Sequence, residues 1–264
     1  MTTKRNKHCG KCLKGNSKFH MIKNSYFLDN LKFIDKSWSS FLTKEIISEL
    51  KEIESKIDIS KKDFTPSSQN VLRFFTKPLN EVKVIILGQD PYPQNGVATG
   101  RAFEVGTLNS WNDKFSNVSL KNIIRSIYFA YNNKYLKYSE IKKEIGLYFQ
   151  LASPDKLFIE WEKQGVLLLN TSFTCKVGES NSHEKYWRKF TNLLLNFIAD
   201  SNKDITWFLW GNNAKAIVNG INIKIKIESM HPMMCYNKEG RDDDFLYGEI
   251  NCFKETQSKI NWLG

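Results

Sequence analysis

Four side chains in this sequence are of the types that chemistry on a small planar polar group would need: Asp90, Phe103, Asn170 and His231. A carboxylate can orient water or balance a developing positive charge. An amide offers one acceptor and two donors, an imidazole a donor near neutral pH, and a phenyl ring a stacking face. Each polar member follows a strand-like run. Val82 to Leu87, broken only by Lys83, leads into Gly88-Gln-Asp-Pro-Tyr-Pro93; Val166 to Leu169 leads into Asn170; and Ile221 to Glu228, where Ile alternates with Lys or Asn, leads into Met230-His-Pro232. Gly88 lets the backbone bend, and Pro91 and Pro93 fix φ just beyond, so Asp90 sits on a stiff turn. Taken singly, each has an ordinary reading: Asp90-Pro91 as a turn dipeptide, Asn170 as a turn former, His231 as a surface or core histidine, and Phe103 as core. Their shared place after strands makes them one constellation.

The elements that would position these residues follow from periodicity. Near-continuous apolar runs such as Val82–Leu87, Val166–Leu169 and Ile205–Trp210 are what strands look like when both faces are covered. Helical spacing predicts helices over Lys36–Ile57 (opened by Asp35 or Ser39), Ser67–Lys77, Ser119–Ala130 (capped by Ser119), Asp155–Gln164, Ser182–Asp200 (capped by Asn181), Asn212–Val218 and Cys252–Leu263. Lys61–Pro66 reads as a linker, Gly100–Val105 as an extended segment, Asn109–Ser119 as a polar loop, and Tyr131–Gly146 as an exposed connection with a helical turn or two. Strands alternating with helices imply an α/β fold: three layers, α/β/α, around a central, mainly parallel four-stranded twisted sheet. In such a sheet ligands bind at the carboxyl ends of the strands, which gathers Asp90, Asn170, Gly211-Asn212 and His231 on one edge.

Composition bounds the rest. The chain has 264 residues, long enough for one sizeable core, and reads as a polar, basic tail over 1–24 followed by a single domain over 25–264. No apolar run approaches the roughly 18 residues that span a bilayer, and the N-terminal stretch lacks a signal peptide's apolar centre, so an intracellular, membrane-free protein is expected. Five cysteines, an odd and scattered number, argue against a disulfide framework. Cys9 and Cys12 have metal-ligand spacing, with His8 and His20 nearby, but no second pair follows to complete a structural site. A formal net charge of +11 favours a polyanionic partner, nucleic acid before membrane.

With these residues in place, the chain resembles the family 1 uracil-DNA glycosylases. That family carries, in order, Gly-Gln-Asp-Pro-Tyr-His, a Phe-containing strand, Leu-Leu-Leu-Asn, Asn-Ser-His, Leu-Trp-Gly and His-Pro-Ser-Pro. Here they stand as Gly88–Pro93, Ala102–Val105, Leu167–Asn170, Asn181–His183, Leu209–Gly211 and His231–Cys235, so the resemblance runs from about Ser67 to Thr256. It implies a monofunctional hydrolase that flips uracil out of single- or double-stranded DNA and cleaves its N-glycosidic bond, leaving an abasic site for base excision repair. Asp90 would position water and stabilise the oxocarbenium-like sugar, and His231 would donate to uracil O2. Asn170 would read the O4 and N3 edge, Phe103 would stack, Tyr92 would exclude the thymine methyl, and main-chain amides at Gln89 would meet the base. No metal or cofactor is implied. Small acidic proteins that mimic DNA are a further partner class, and the expected form is a monomer in the cytoplasm, or the nucleus of a eukaryotic host.

Departures from the family pattern fall on the DNA-gripping segments. Pro93 stands where the family has His, Asn212 where a Ser usually follows Gly, and Met233-Met-Cys-Tyr236 where Ser-Pro-Leu-Ser is usual. The loop before Leu120 lacks the usual prolines but keeps Ser119. The resemblance therefore assigns DNA contacts to Ser119, Asn212, Met233, Met234, Cys235 and Tyr236, with Met234, Cys235 or Tyr236 as the wedge and the carboxylates of Arg241–Asp244 opposing phosphate. His183 reads as a loop or cap residue, and Trp187 and Trp210 as core. Two other readings are a glycosylase-like DNA-binding accessory protein without turnover, which would not need Asp90 and His231, and a glycosylase for another base, which Tyr92 and Asn170 disfavour.

Overall fold

The apolar run after Lys83 forms a strand over Val84–Gly88 in which every residue is buried. The computed structural model describes residues 27–57 and 63–264, so the stretch 1–24 with Cys9 and Cys12, and the start of the Lys61–Pro66 connection, lie outside the described residues. In chain order the elements are α1 (Lys44–Ile57), β1 (Phe64–Thr65), α2 (Ser68–Val71), β2 (Val84–Gly88), α3 (Val118–Asn132), α4 (Tyr138–Glu144), α5 (Pro154–Lys163), β3 (Val166–Asn170), β4 (Cys175–Lys176), α6 (Glu184–Ser201), β5 (Thr206–Trp210), α7 (Gly211–Ile217), β6 (Ile225–Ser229) and α8 (Cys252–Glu255). The main sheet has four strands in the order β3-β2-β5-β6, all parallel. A small antiparallel pair, β1 with β4, lies apart from it.

Alternation along β2 explains the three layers. Ile85 and Leu87 belong to a core with Trp38, Phe75, Phe190 and Leu194, drawn from the N-terminal segments and α6. Val84 and Ile86 belong to the opposite core with Ile124, Ile127, Trp161 and Trp262, drawn from α3, α5 and the C-terminus. Successive side chains of a strand point to opposite faces, so an unbroken apolar run is what a sheet covered on both sides requires. β6, at the edge, alternates instead, with Lys226 and Glu228 exposed.

Several local expectations give way to tertiary pull. The helix expected from Lys36 is a short 3-10 turn over Lys36–Trp38, capped by the Asp35 carboxylate, and α1 starts only at Lys44. Trp38 is drawn into the core, where its Nε1 donates to Lys77 O at 2.7 Å. Gly100–Val105 is not extended: Gly100 has φ +84 and Phe103 φ +66, and the buried Arg101 folds back on Glu104. A turn there buries Ala102 and Val105 while leaving Phe103 partly open, so burial does not follow the alternation of the sequence. Ser119 lies inside the first turn of α3, with Asn117 in the cap position. Asn181 does not cap α6, which starts at Glu184 with His183 in that position. The closing helix stops at Glu255, and turns beyond it carry the fully buried Trp262 against Trp161.

Candidate active site

The parallel register sets Gly88 directly beside Asn170 at the ends of β2 and β3. A side chain at position 88 would put its Cβ 2.3 Å from Asn170 Oδ1, so only glycine leaves room for this amide to lie across the strand end. Asn170 is 5% exposed, and its amide has no hydrogen-bond partner among the described residues. It lines a cavity of about 230 Å³ together with Gln89, Asp90, Tyr92, Phe103, Ser119 and His231. Drug-sized ligands occupy pockets of roughly 300–1,000 Å³, so this one suits a single-ring group.

Asp90 enters that cavity from the turn after β2. Its Oδ2 accepts the backbone N–H of Asn181 at 2.7 Å. Burial raises the Asp90 pKa above the usual carboxylate range, and the Asn181 bond acts against that rise by favouring the charged form. Asn181 is at φ +62, a left-handed conformation that asparagine tolerates better than most residues. Its side-chain oxygen accepts Gln89 Nε2 at 2.7 Å, and Asn213 Nδ2 donates to Gln89 Oε1 at 2.8 Å.

His231 follows β6 on the far side of β5. Gly211, at φ +83, lies so close that a Cβ there would come within 2.8 Å of His231 Cβ. The Met233 backbone N–H donates to His231 Nδ1 at 3.2 Å. A main-chain N–H only donates, so Nδ1 is the unprotonated nitrogen and the ring's single proton sits on Nε2. Burial lowers the His231 pKa, which keeps the ring neutral. The Pro232 carbonyl accepts Asn122 Nδ2 at 2.6 Å, tying this turn to α3.

Phe103 packs at 5.3 Å from Trp210 and 6.2 Å from His231 between ring centroids. Its positive φ turns the side chain out of the buried segment and into the cavity lining. Tyr92 is largely enclosed, its hydroxyl pushed up to about 12 by burial, with a donor contact to Phe103 O at 3.4 Å. Pro93 lines the same space, and its carbonyl accepts Gly178 N–H at 2.9 Å. Arg101 also lines it, but its guanidinium is committed to Glu104 and to Glu162 at 2.9 and 2.7 Å.

A second cavity of about 270 Å³ shares Gly88, Gln89 and His231 with the first and is lined by Asn212, Asn213, Met233 and Met234. Met233, Met234 and Tyr236 are 57%, 41% and 54% exposed at this rim. Cys235 is turned the other way: its Sγ donates to Pro232 O at 3.1 Å, and it packs against the interior. Of the acidic run, Asp244 faces inward rather than toward solvent. Its carboxylate accepts from Tyr236, Leu246 and Tyr247 N–H groups and contacts Arg241, whose guanidinium lies 5.0 Å over the Tyr236 ring. The rim loop is thus a stapled turn presenting thioethers and an aromatic ring.

The two cavities thus bring together the expected site residues except Cys235, which points away, and Tyr236, which is exposed and lines neither. Sequence alone does not mark Asn181 and Asn213 as site residues; the signal it offers is Asn181's place in Asn-Ser-His, where it reads as a helix cap. His183, in the cap position, bonds Thr174 through Nδ1 at 3.0 Å, a partner shared with Trp187 Nε1. Among the described residues no group of three or more His, Cys, Asp or Glu could hold a metal ion, and no helix is long and apolar enough to cross a membrane.

A family model described as the uracil DNA glycosylase superfamily matches residues 75–251. A uracil-DNA glycosylase from Fusobacterium nucleatum is 35% identical over 239 residues, 87% of this chain and 96% of that protein. Uracil-DNA glycosylase 1 of Listeria monocytogenes is 30% identical, covering 86% of this chain and 97% of its own length. Among solved structures, UNG from Nitratifractor salsuginis aligns with a TM-score of 0.62 at 23% identity, over 78% of this chain and 88% of that one. A mimivirus UNG in complex with UGI aligns with a TM-score of 0.60 at 24% identity, over 77% and 72%.

Proposed function

The chain belongs to the uracil DNA glycosylase superfamily, and from that premise we propose that it hydrolyses the N-glycosidic bond of uracil flipped out of DNA, leaving an abasic site. The observation that carries this reading is the shared cavity: a carboxylate, Asp90, and a neutral imidazole, His231, line one single-ring-sized space together with an unpartnered amide, Asn170.

In this reading the C1′–N1 bond breaks with its electron pair leaving on the base. His231 Nε2–H donates to uracil O2, where negative charge develops, and a neutral donor whose pKa is held down suits that task. Ionised Asp90 stabilises the cationic sugar and orients water, which adds at C1′ as its proton passes to the carboxylate. Asn170 pairs with the O4 and N3 edge, Phe103 stacks on the ring, the Gln89 main chain meets the base, and Tyr92 occupies the space beside C5. The basic balance of the chain supports phosphate binding, with Ser119, Asn212, Met233, Met234 and Tyr236 at the rim against the strand. Cys235, turned inward, leaves the wedge to the exposed Met234 or Tyr236. The UGI complex of the mimivirus protein supports an inhibitor protein as a second partner class.

The test is uracil release from matched single- and double-stranded oligonucleotides, with Asp90→Asn and His231→Leu as controls. Release that collapses in both variants supports the reading; DNA binding with no release from either substrate overturns it.

A further inference from the structure

We infer that Asn213 is a positioning residue for the catalytic carboxylate of Asp90, acting through Gln89 and Asn181; the inference rests on the uracil-excision reading above. Three hydrogen bonds join them: Asn213 Nδ2 to Gln89 Oε1 at 2.8 Å, Gln89 Nε2 to Asn181 Oδ1 at 2.7 Å, and Asn181 N–H to Asp90 Oδ2 at 2.7 Å. The links cross between segments remote in sequence: α7, the turn after β2, and the approach to α6.

The middle amide, Gln89, is held at both of its polar ends. Asn181 Oδ1 accepts from Gln89 Nε2 and Gln89 Oε1 accepts from Asn213 Nδ2, so each amide of the chain is matched donor to acceptor with the next. Without Asn213 the Gln89 amide is held at one end only, and its bond to Asn181 loses the support that fixes its direction. The Gln89 main chain stays put, because its carbonyl accepts both Thr171 Oγ1 and Ser172 N–H at 2.9 Å. What moves is Asn181, a non-glycine residue at φ +62 whose side-chain bond to Gln89 holds its backbone N–H on Asp90. Asn213 is itself exposed and outside the core, so its loss leaves packing untouched.

Loosening the Asn181 bond removes a donor that favours the ionised form, so Asp90 takes up its proton at higher pH. The other titratable groups around Asp90 are Tyr92 on its own turn, Arg101 after the Gly100 bend, Cys175 on β4 and His231 after β6. None of these is bonded to Asn213 or Gln89 side chains.

The experiment measures kcat and KM of the full-length protein on a single-stranded uracil oligonucleotide from pH 5 to 9, for wild type, Asn213→Ala, Asn213→Asp, Gln89→Ala and the Asn213→Ala/Gln89→Ala double variant. We expect both Asn213 variants to move the acid limb upward and lower kcat at pH 6 by about 3- to 10-fold, with KM changed less than about 2-fold. The double variant should be no slower than Gln89→Ala alone, because the two residues act in one chain. Wild-type pH profiles in the Asn213 variants, or losses that multiply in the double variant, would overturn the inference. Carbon-13 NMR titration of the Asp90 carboxyl separates it from the reading it rests on. An upward shift in Asn213→Ala without any uracil release by wild type overturns the excision reading alone, and an unshifted titration overturns the positioning role.

Discussion

The Met233 backbone N–H donates to Nδ1 of His231, and this bond decides which ring nitrogen can face a substrate. Protonating Nδ1 would break it and charge a half-buried ring. His231 should therefore stay neutral below the ordinary histidine value of about 6.5. In the unfolded chain the same histidine protonates near that value, so this group lowers folding stability as pH falls through it. The expected result is an imidazole NMR titration whose midpoint lies below the ordinary histidine value, with the neutral ring's proton on Nε2. His231→Leu should cut uracil release by about 10²- to 10³-fold, the usual cost of losing one donor to a developing anion.

Asp90 illustrates a cost of function. Its pKa is raised in the folded state, so above the unfolded value the folded chain carries a carboxylate it would rather not ionise, and stability improves as pH falls. Asp90→Asn removes the charge yet keeps an oxygen for the Asn181 N–H. Release should fall by about 10³-fold or more while the melting temperature at pH 7.5 rises, with the difference from wild type closing toward pH 4. A melting temperature below wild type at pH 7.5 would contradict this account.

Gly88→Ala tests the strand-end crossing. The new Cβ would lie 2.3 Å from Asn170 Oδ1 and 2.9 Å from Ala102 Cβ, both within a buried wall. Displacing the amide by about 1 Å should reduce kcat/KM for uracil by about 10²-fold, while affinity for undamaged single-stranded DNA stays within experimental error of wild type.

Tyr92→Ala tests the proposed exclusion of methylated bases. Removing a largely enclosed ring opens the wall that the C5 substituent of a pyrimidine would meet. The variant should release thymine measurably from a thymine-containing oligonucleotide, where wild type releases none, and its uracil rate should fall. An enlarged pocket that still rejects thymine would place discrimination elsewhere.

What could be read from the sequence was decided by how local each signal is. Buried parallel strands announce themselves as apolar runs, so β2, β3 and β5, with Asp90 and Asn170 at their ends, were visible in advance. Turns set by long-range bonds were not. Phe103 looked like part of a strand because Gly100–Val105 alternates in sequence, but a turn pinned by Arg101, Glu104 and Glu162 buries both neighbours on each side and leaves Phe103 partly open. Asn181 looked like a helix cap because its actual partners, Asp90 and Gln89, lie 91 and 92 residues away. Cys235 fell at the expected wedge position, but only the folded turn shows its sulfur directed at Pro232.

β6 pairs with β5 on one side only, and its other edge has no strand beside it among the described residues. Of the two border strands, β3 is buried along its whole length while β6 exposes every second residue, so β6 is where this sheet should open first on warming. Asp90 hangs from the interior strand β2 and Asn170 from β3, whose residues are all buried, so both would stay in place through that event, whereas His231, just beyond β6, would swing away. Heat should therefore silence this protein before it melts: amide exchange along Ile225–Ser229 would quicken, and activity would vanish reversibly, at temperatures where the rest of the sheet is still closed.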